Sequence, residues 1–166
     1  MYYLYKQGDI PRTPGLSDNL SIVRQTPHPF IDKMDSMQMG RRRFWYFTIM
    51  TFLCRGIFRV FEEYDVIKDG IILSKAVLIS KVPLYRFLPR KGIHLCYCET
   101  IPEARGKGYY PMLLSYIQNQ HKGNNLYMIV DEKNFSSIRG IEKAGFVRCA
   151  KVQKNSNGCF ILAGSC

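Results

Sequence analysis

The sequence is poor in the features that most readily mark a function class. Its six cysteines, at 54, 96, 98, 149, 159 and 166, never take the Cys-x-x-Cys spacing of metal knuckles, nor do they reach the density of a small secreted scaffold. Free thiols in a reducing compartment and no resident metal are the expectations. Cys96 and Cys98, two apart in a β-rich stretch, are expected on one strand face, where two sulfurs cannot complete a tetrahedral zinc site. The opening Met1-Tyr2-Tyr3-Leu4-Tyr5-Lys6 lacks a basic leader, an apolar stretch and a cleavage site. The apolar run from Phe44 is interrupted by Arg55 and Arg59, short of the ~20 residues of a membrane span. A cytoplasmic location follows as an expectation. No internal repeat is present, and no helix-turn-helix, zinc-finger or RNP-type pattern argues for nucleic acid.

Acidic residues are also scarce. Against 13 Asp and Glu stand 24 Lys and Arg, a formal charge of +11 that raises the local concentration of anionic partners. A polyphosphate cofactor with a phosphorylated substrate fits this balance. Peripheral contact with an anionic membrane stays an option, because Arg41, Arg42 and Arg43 precede Phe44-Trp45-Tyr46-Phe47.

The 166 residues suit one domain, and 46% hydrophobic content is enough for a sizeable core. Pro11, Pro14, Pro27 and Pro29 predict extended, turn-rich backbone over the first thirty residues, read as an arm lying over the domain. From about Asp32 to Glu63 the spacing of Phe44, Phe47, Phe52, Ile57, Phe58 and Phe61 predicts two helical pieces divided by Gly56. After Tyr64 the pattern turns β-rich. Asp69-Gly70 between Tyr64–Lys68 and Ile71–Ser80 predicts a tight hairpin. A strand over Gly92–Thr100 follows, then a helix over Tyr109–Gln120 with Leu113, Leu114 and Ile117 on one stripe. A short strand over Asn125–Val130, a helix capped by Asn134 and closed at Ala144-Gly145-Phe146, and two last strands joined near Asn157-Gly158 complete the chain. The fold class is mixed α/β (α+β), with helices on a largely antiparallel sheet.

The chemistry-bearing segment runs from Thr100 to Leu114. Gly106 and Gly108 let the backbone approach a ligand closely, and the opening helical turn offers unpaired N–H groups at a positive dipole end, a combination suited to pyrophosphate. Pro111, without an N–H, is tolerated in that first turn.

Arg105, Gly106, Lys107, Gly108, Tyr109 and Tyr110 resemble the cofactor loop of the GCN5-related N-acetyltransferases, which reads Arg or Gln, two residues, Gly, one residue, then Gly or Ala. Asn134, Ser137, Glu142, Lys143, Ala144, Gly145 and Phe146 resemble the helix that follows it in that family. The resemblance covers about Tyr64 to Ala163. It implies a domain whose residues 64–166 form an acetyl-coenzyme A-binding core with splayed central strands, and whose residues 1–63 face the acceptor. It further implies that Thr100 and Ile101 pair with pantetheine, that Arg105, Gly106, Lys107, Gly108, Tyr109 and Tyr110 cradle the phosphates, and that Asn134 and Ser137 touch the pantetheine and thioester region. The sequence departs from the family three times: Tyr110 stands where Gly or Ala is usual, so its side chain is expected to turn outward or hold the phosphates farther off; Pro111 brings a residue without an N–H, which the cradle is expected to survive; and Ile141 stands where many members carry a proton-donating tyrosine. Tyr109, Tyr127 or a water is the expected substitute.

Attack on a thioester needs a neutral amine, hence a base. His94, eleven residues ahead of Arg105, is the first candidate because it titrates near neutrality, and Glu99 the second, needing burial to reach that range. The wording of both motifs also resembles members associated with bacterial surface-polysaccharide synthesis, implying an anionic amino-sugar nucleotide or lipid-linked amino-sugar as acceptor. Peptide or small-amine acetylation and a non-catalytic acyl-coenzyme A-binding module are the alternatives. The aromatic N-terminal half is expected to supply a homodimer face, a substrate lid or a membrane-facing surface.

Overall fold

The computed structural model describes residues 1–9, 19–25, 61–80, 92–157 and 159–165. Of the helical pieces expected between Asp32 and Glu63, residues 32–60 lie outside the described residues, and residues 61–63 are strand, because they pair with residues 77–79. Eight strands form one sheet: β1 (Tyr2–Gln7), β2 (Leu20–Gln25), β3 (Phe61–Lys68), β4 (Ile71–Ser80), β5 (Gly92–Thr100), β6 (Asn125–Asp131), β7 (Phe146–Lys154) and β8 (Phe160–Ser165). Their spatial order is β2-β3-β4-β5-β6-β1-β7-β8. Neighbours run antiparallel except β5 and β6. Two helices, α1 (Tyr109–Gln120) and α2 (Phe135–Lys143), complete the described elements with a 3-10 turn at Pro102–Ala104.

Local chemistry explains the joints. Asp69 (φ 50°) and Gly70 (φ 77°) both take positive φ in the two-residue turn between β3 and β4, the geometry an Asp-Gly dipeptide supplies at low cost. Asn134 caps α2 by accepting the Ser137 amide on Oδ1 at 3.2 Å. Gly145, at φ 88°, lets the chain leave α2, and its amide donates to the Glu142 carbonyl at 2.9 Å.

Both helices lie on one face of the sheet. Leu113, Leu114 and Ile117 of α1 and Ile141 of α2 share a buried cluster with Tyr64, Val66, Ala76, Leu78, Ile93, Leu95, Leu126 and Phe146 from the strands. Each Leu, Ile, Val or Phe side chain among them that is removed from water contributes roughly 1.5–3 kcal/mol before chain entropy is subtracted. A second, smaller cluster of Leu4, Tyr127, Ala150 and Val152 is built by β6, β1 and β7.

Two features differ from the sequence reading. The described residues of the expected arm belong to the sheet instead: Leu20–Gln25 pairs with β3, and β1 is threaded between β6 and β7, pairing antiparallel with each. Such pairing across more than a hundred residues leaves no local trace in the sequence. Cys96 and Cys98 do not share a face. Tyr97 sits at φ 48° and the β4–β5 register shifts between Lys75 and Val77, so one extra residue on β5 reverses the alternation. Cys98 thereby packs toward the helix-side core, which does not include Cys96.

β5 and β6 are paired only over Gly92–His94 and Asn125–Tyr127. Beyond that point β5 keeps β4 as its partner and β6 keeps β1. The two strands separate there, and α1 and α2 frame the opening.

Candidate functional site

A cleft of about 730 Å³ opens where the strands separate, lined from β5 by Cys98, Glu99 and Thr100, from the loop by Ala104, Arg105, Gly106 and Gly108, and from the two helices by residues of their opening turns and of α2. Backbone shapes its rim. Gly106 (φ 75°) and Gly108 (φ 83°) occupy the left-handed region, and a Cβ at either would meet nothing within 4 Å. The helical ladder of α1 begins with the Met112 amide donating to the Gly108 carbonyl at 3.1 Å, so the amides of Tyr109 and Tyr110 precede its first bond. With open space in front of both glycines and the N-terminal dipole behind, the rim suits a multiply charged anion. Arg105 donates from Nε to the Thr100 carbonyl at 3.1 Å, which holds the loop against the end of β5.

Side chains shape the floor. Tyr110 leaves α1 inward, not outward, and its ring lies against Gly140 of α2. A Cβ at position 140 would stand 2.5 Å from Tyr110 Cδ1 and 2.8 Å from Cε1, so only glycine leaves room. The Tyr110 hydroxyl lies 3.4 Å from Ser137 Oγ and donates to the Cys98 thiol. Burial pushes Cys98 up to about 12, although that hydrogen bond opposes the shift, and burial with the neighbouring Cys98 also raises Tyr110 well above the ordinary phenol value. Burial likewise raises Cys96. Neither sulfur is a thiolate at neutral pH, which removes the basis for nucleophilic catalysis by either.

Thr100, Arg105, Gly106, Gly108, Tyr109, Tyr110, Asn134 and Ser137 line the cleft as the sequence predicts, whereas Ile101 and Lys107 do not. The Ile101 amide instead donates to the Leu73 carbonyl at 3.0 Å, extending the sheet. Of the two base candidates, Glu99 lines the cleft and His94 does not. His94 is 3% exposed within the sheet, and burial pushes its imidazole down to about 4. Among substitutes for the family's tyrosine, Tyr109 reaches the cleft, while Tyr127 packs in the smaller cluster. Ile141 is 1% exposed in the helix-side core. Sequence reasoning missed Cys98 as a lining residue and missed Arg139, Gly140 and Lys143. Arg139 and Lys143, spaced i, i+4 on the helix that Asn134 caps, fall on one helical face, which was a usable signal for those two.

Among the described residues no group of three or more His, Cys, Asp or Glu could hold a metal ion, and no helix is long and apolar enough to cross a membrane.

No protein-family model matches the sequence, and no curated protein matches it. Solved structures do. An acetyltransferase of the GNAT family from Colwellia psychrerythraea aligns with a TM-score of 0.58 at 14% identity, over 89% of this chain and 52% of that one. A putative acetyltransferase of the GNAT family from Novosphingobium aromaticivorans is similar at a TM-score of 0.47 and 18% identity, over 89% and 61% of the two chains. A GCN5-related N-acetyltransferase from Kribbella flavida is similar at 0.48 and 7%, over 96% and 55%. The chain thus spans about half the length of these proteins. The fold likeness rests on the Colwellia protein, and the architecture is the mixed, largely antiparallel α+β sheet of GNAT-like folds.

Proposed function

We propose that this chain is an acetyltransferase that takes its acetyl group from acetyl-coenzyme A and passes it directly to an acceptor amine. The observation that carries this reading is the meeting, in one cleft beside the end of β5 that no longer pairs with β6, of two positive-φ glycines, a helix N-terminus, Asn134 and Ser137. The donor set fits the coenzyme. The loop from Arg105 and the opening turn of α1 would hold its pyrophosphate on backbone amides, with Arg139 and Lys143 adding positive charge on the facing wall. Asn134 and Ser137 would meet the pantetheine arm, whose thioester, when bound, supplies the activated acetyl group.

Glu99 is the carboxylate of β5 that lines the cleft, and we assign it the proton of the incoming ammonium, directly or through a water. His94, walled into the sheet and held neutral by burial, is not given that role. For the acceptor, the formal charge of +11 favours an anionic molecule, and an amino-sugar carrying phosphate, on a nucleotide or a lipid, combines that charge with the required amine. The site fits a reaction within a reducing cytoplasm, where free Cys98 would stay a thiol.

Thiol release from acetyl-coenzyme A in the presence of an amine panel tests the reading. Turnover with amino-sugar nucleotides, reduced about 100-fold in Glu99→Gln with a changed pH profile, is the expected result. Turnover confined to polyamines or peptides would overturn the acceptor assignment and leave acetyl transfer standing; no turnover with any amine, despite saturable binding, would make the chain an acyl-coenzyme A-binding module.

A further inference from the structure

The floor of the cleft is chemically unlike its rim. Three polar atoms meet there: Cys98 Sγ from β5, Tyr110 Oη from α1 and Ser137 Oγ from α2. Tyr110 reaches them because residue 140 has no side chain, and the pairing is tight enough that a single added carbon would strike the ring at 2.5 Å. An aromatic ring thus crosses from one helix to the other and carries its hydroxyl to Ser137 and Cys98, both of which line the cleft.

Cys98 reports what that floor does to sulfur. The environment there pushes a thiol up to about 12 despite a hydrogen bond that favours its anion. A free thiol in water titrates near ~8.5. A second sulfur arriving in the same floor as a leaving group would meet the same penalty, so its departure as a bare anion is costly and a donor beside it becomes effective. Ile141, at the position where the resemblance would place a tyrosine, is sealed in the core and can donate nothing.

Resting on the acetyl-transfer reading, we propose that Tyr110, seated on Gly140, is the residue that donates its proton to the sulfur released from the thioester. As the amine nitrogen bonds to the acetyl carbon, the carbon–sulfur bond breaks and its electron pair stays on sulfur. Tyr110 Oη gives its proton to that sulfur, leaving a thiol and a phenolate. Solvent returns a proton to the phenolate by way of Ser137 Oγ. Burial keeps the hydroxyl protonated at every working pH, so the donor form needs no titration to become ready.

The test uses Tyr110→Phe, which keeps the ring on Gly140 and removes only the hydroxyl, beside Gly140→Ala, which keeps the hydroxyl and displaces the ring. Calorimetry with coenzyme A and with desulfo-coenzyme A reads the contact without turnover. The intact protein should prefer the sulfur-bearing ligand about 5-fold, as one hydrogen bond allows. Tyr110→Phe should bind the two equally and lose about 100-fold in kcat at nearly unchanged KM. Gly140→Ala should show the same loss with the hydroxyl still in the chain. A Tyr110→Phe variant that keeps both the preference and the rate overturns the proposal and leaves acetyl transfer intact. An unaltered chain that binds neither ligand overturns the transfer reading itself, and this proposal with it.

Discussion

The two ends of α1 carry two buried polar clusters of opposite character. At the C-terminal end, Glu62 is saturated: Oε1 accepts from Arg24 at 2.6 Å, while Oε2 lies 3.0 Å from the Tyr64 hydroxyl and 3.2 Å from His121 Nε2. Burial alone would raise its carboxyl, but His121, Arg24 and Tyr64 together bring it down to about 2. At the N-terminal end, Tyr110 makes a 3.4 Å contact with Ser137 and a weak bond to a thiol. A saturated cluster fixes structure, because every valence is satisfied and any loss leaves a partner stranded. A loosely bonded hydroxyl facing a cleft keeps a valence for a ligand. The same helix therefore anchors at one end and, on the proposed function, presents chemistry at the other.

Removing the anchor should have the largest effect on stability. Glu62→Ala strands His121 and Tyr64 with each other and frees Arg24, and about 3 kcal/mol should be lost in urea denaturation while coenzyme affinity is retained. Equal loss of affinity would break the division between the two ends. The pH dependence has a definite sign. A carboxyl held near 2 when folded, against about 4.5 ordinarily, adds stability that is full above pH 4.5 and disappears as pH falls toward 2. The difference between the intact chain and Glu62→Gln should shrink over that window.

Gly140→Ala should follow, costing about 2 kcal/mol as the ring of Tyr110 is forced from its seat. Tyr110→Ala combined with Gly140→Ala should recover much of that cost, which a thermal melt would read; no recovery would show that the clash lies elsewhere.

Asp65 gives the smallest effect, with the opposite sign. It is 1% exposed on β3, its Oδ2 accepts from Gln25 at 2.6 Å, and its Oδ1 has no hydrogen-bond partner among the described residues. Burial and then the neighbouring Glu63 raise it from 3.8 to about 6, so stability is lost as pH rises through that interval. Asp65→Asn should gain about 1 kcal/mol at pH 8 and nothing at pH 3.5. A gain at both would assign the effect to packing.

Much of the fold was legible because its signals are local. Asp69-Gly70, Asn134 and the glycines at 106, 108 and 145 each name a backbone conformation within a few residues, and the structure puts each where the dipeptide or cap requires. The α1 stripe of Leu113, Leu114 and Ile117 is equally local. What was hidden depends on distance along the chain or on one extra residue. The place of β1 depends on partners more than a hundred residues away. The split of Cys96 from Cys98 depends on Tyr97 taking a positive φ that its side chain disfavours. The inward turn of Tyr110 depends on a glycine thirty residues later, and the two residues become a complementary pair only when α1 and α2 are packed. Choosing Glu99 over His94 required burial, which residue type does not disclose.

The central claim, that the cleft between β5 and α2 holds acetyl-coenzyme A, is tested most directly by calorimetric titration of the protein with acetyl-coenzyme A beside a Gly108→Trp variant. Saturable one-to-one binding that the indole at position 108 abolishes, with the variant still folded by circular dichroism, is the predicted result. Absence of binding to the unaltered chain, or equal binding by the two, would contradict it.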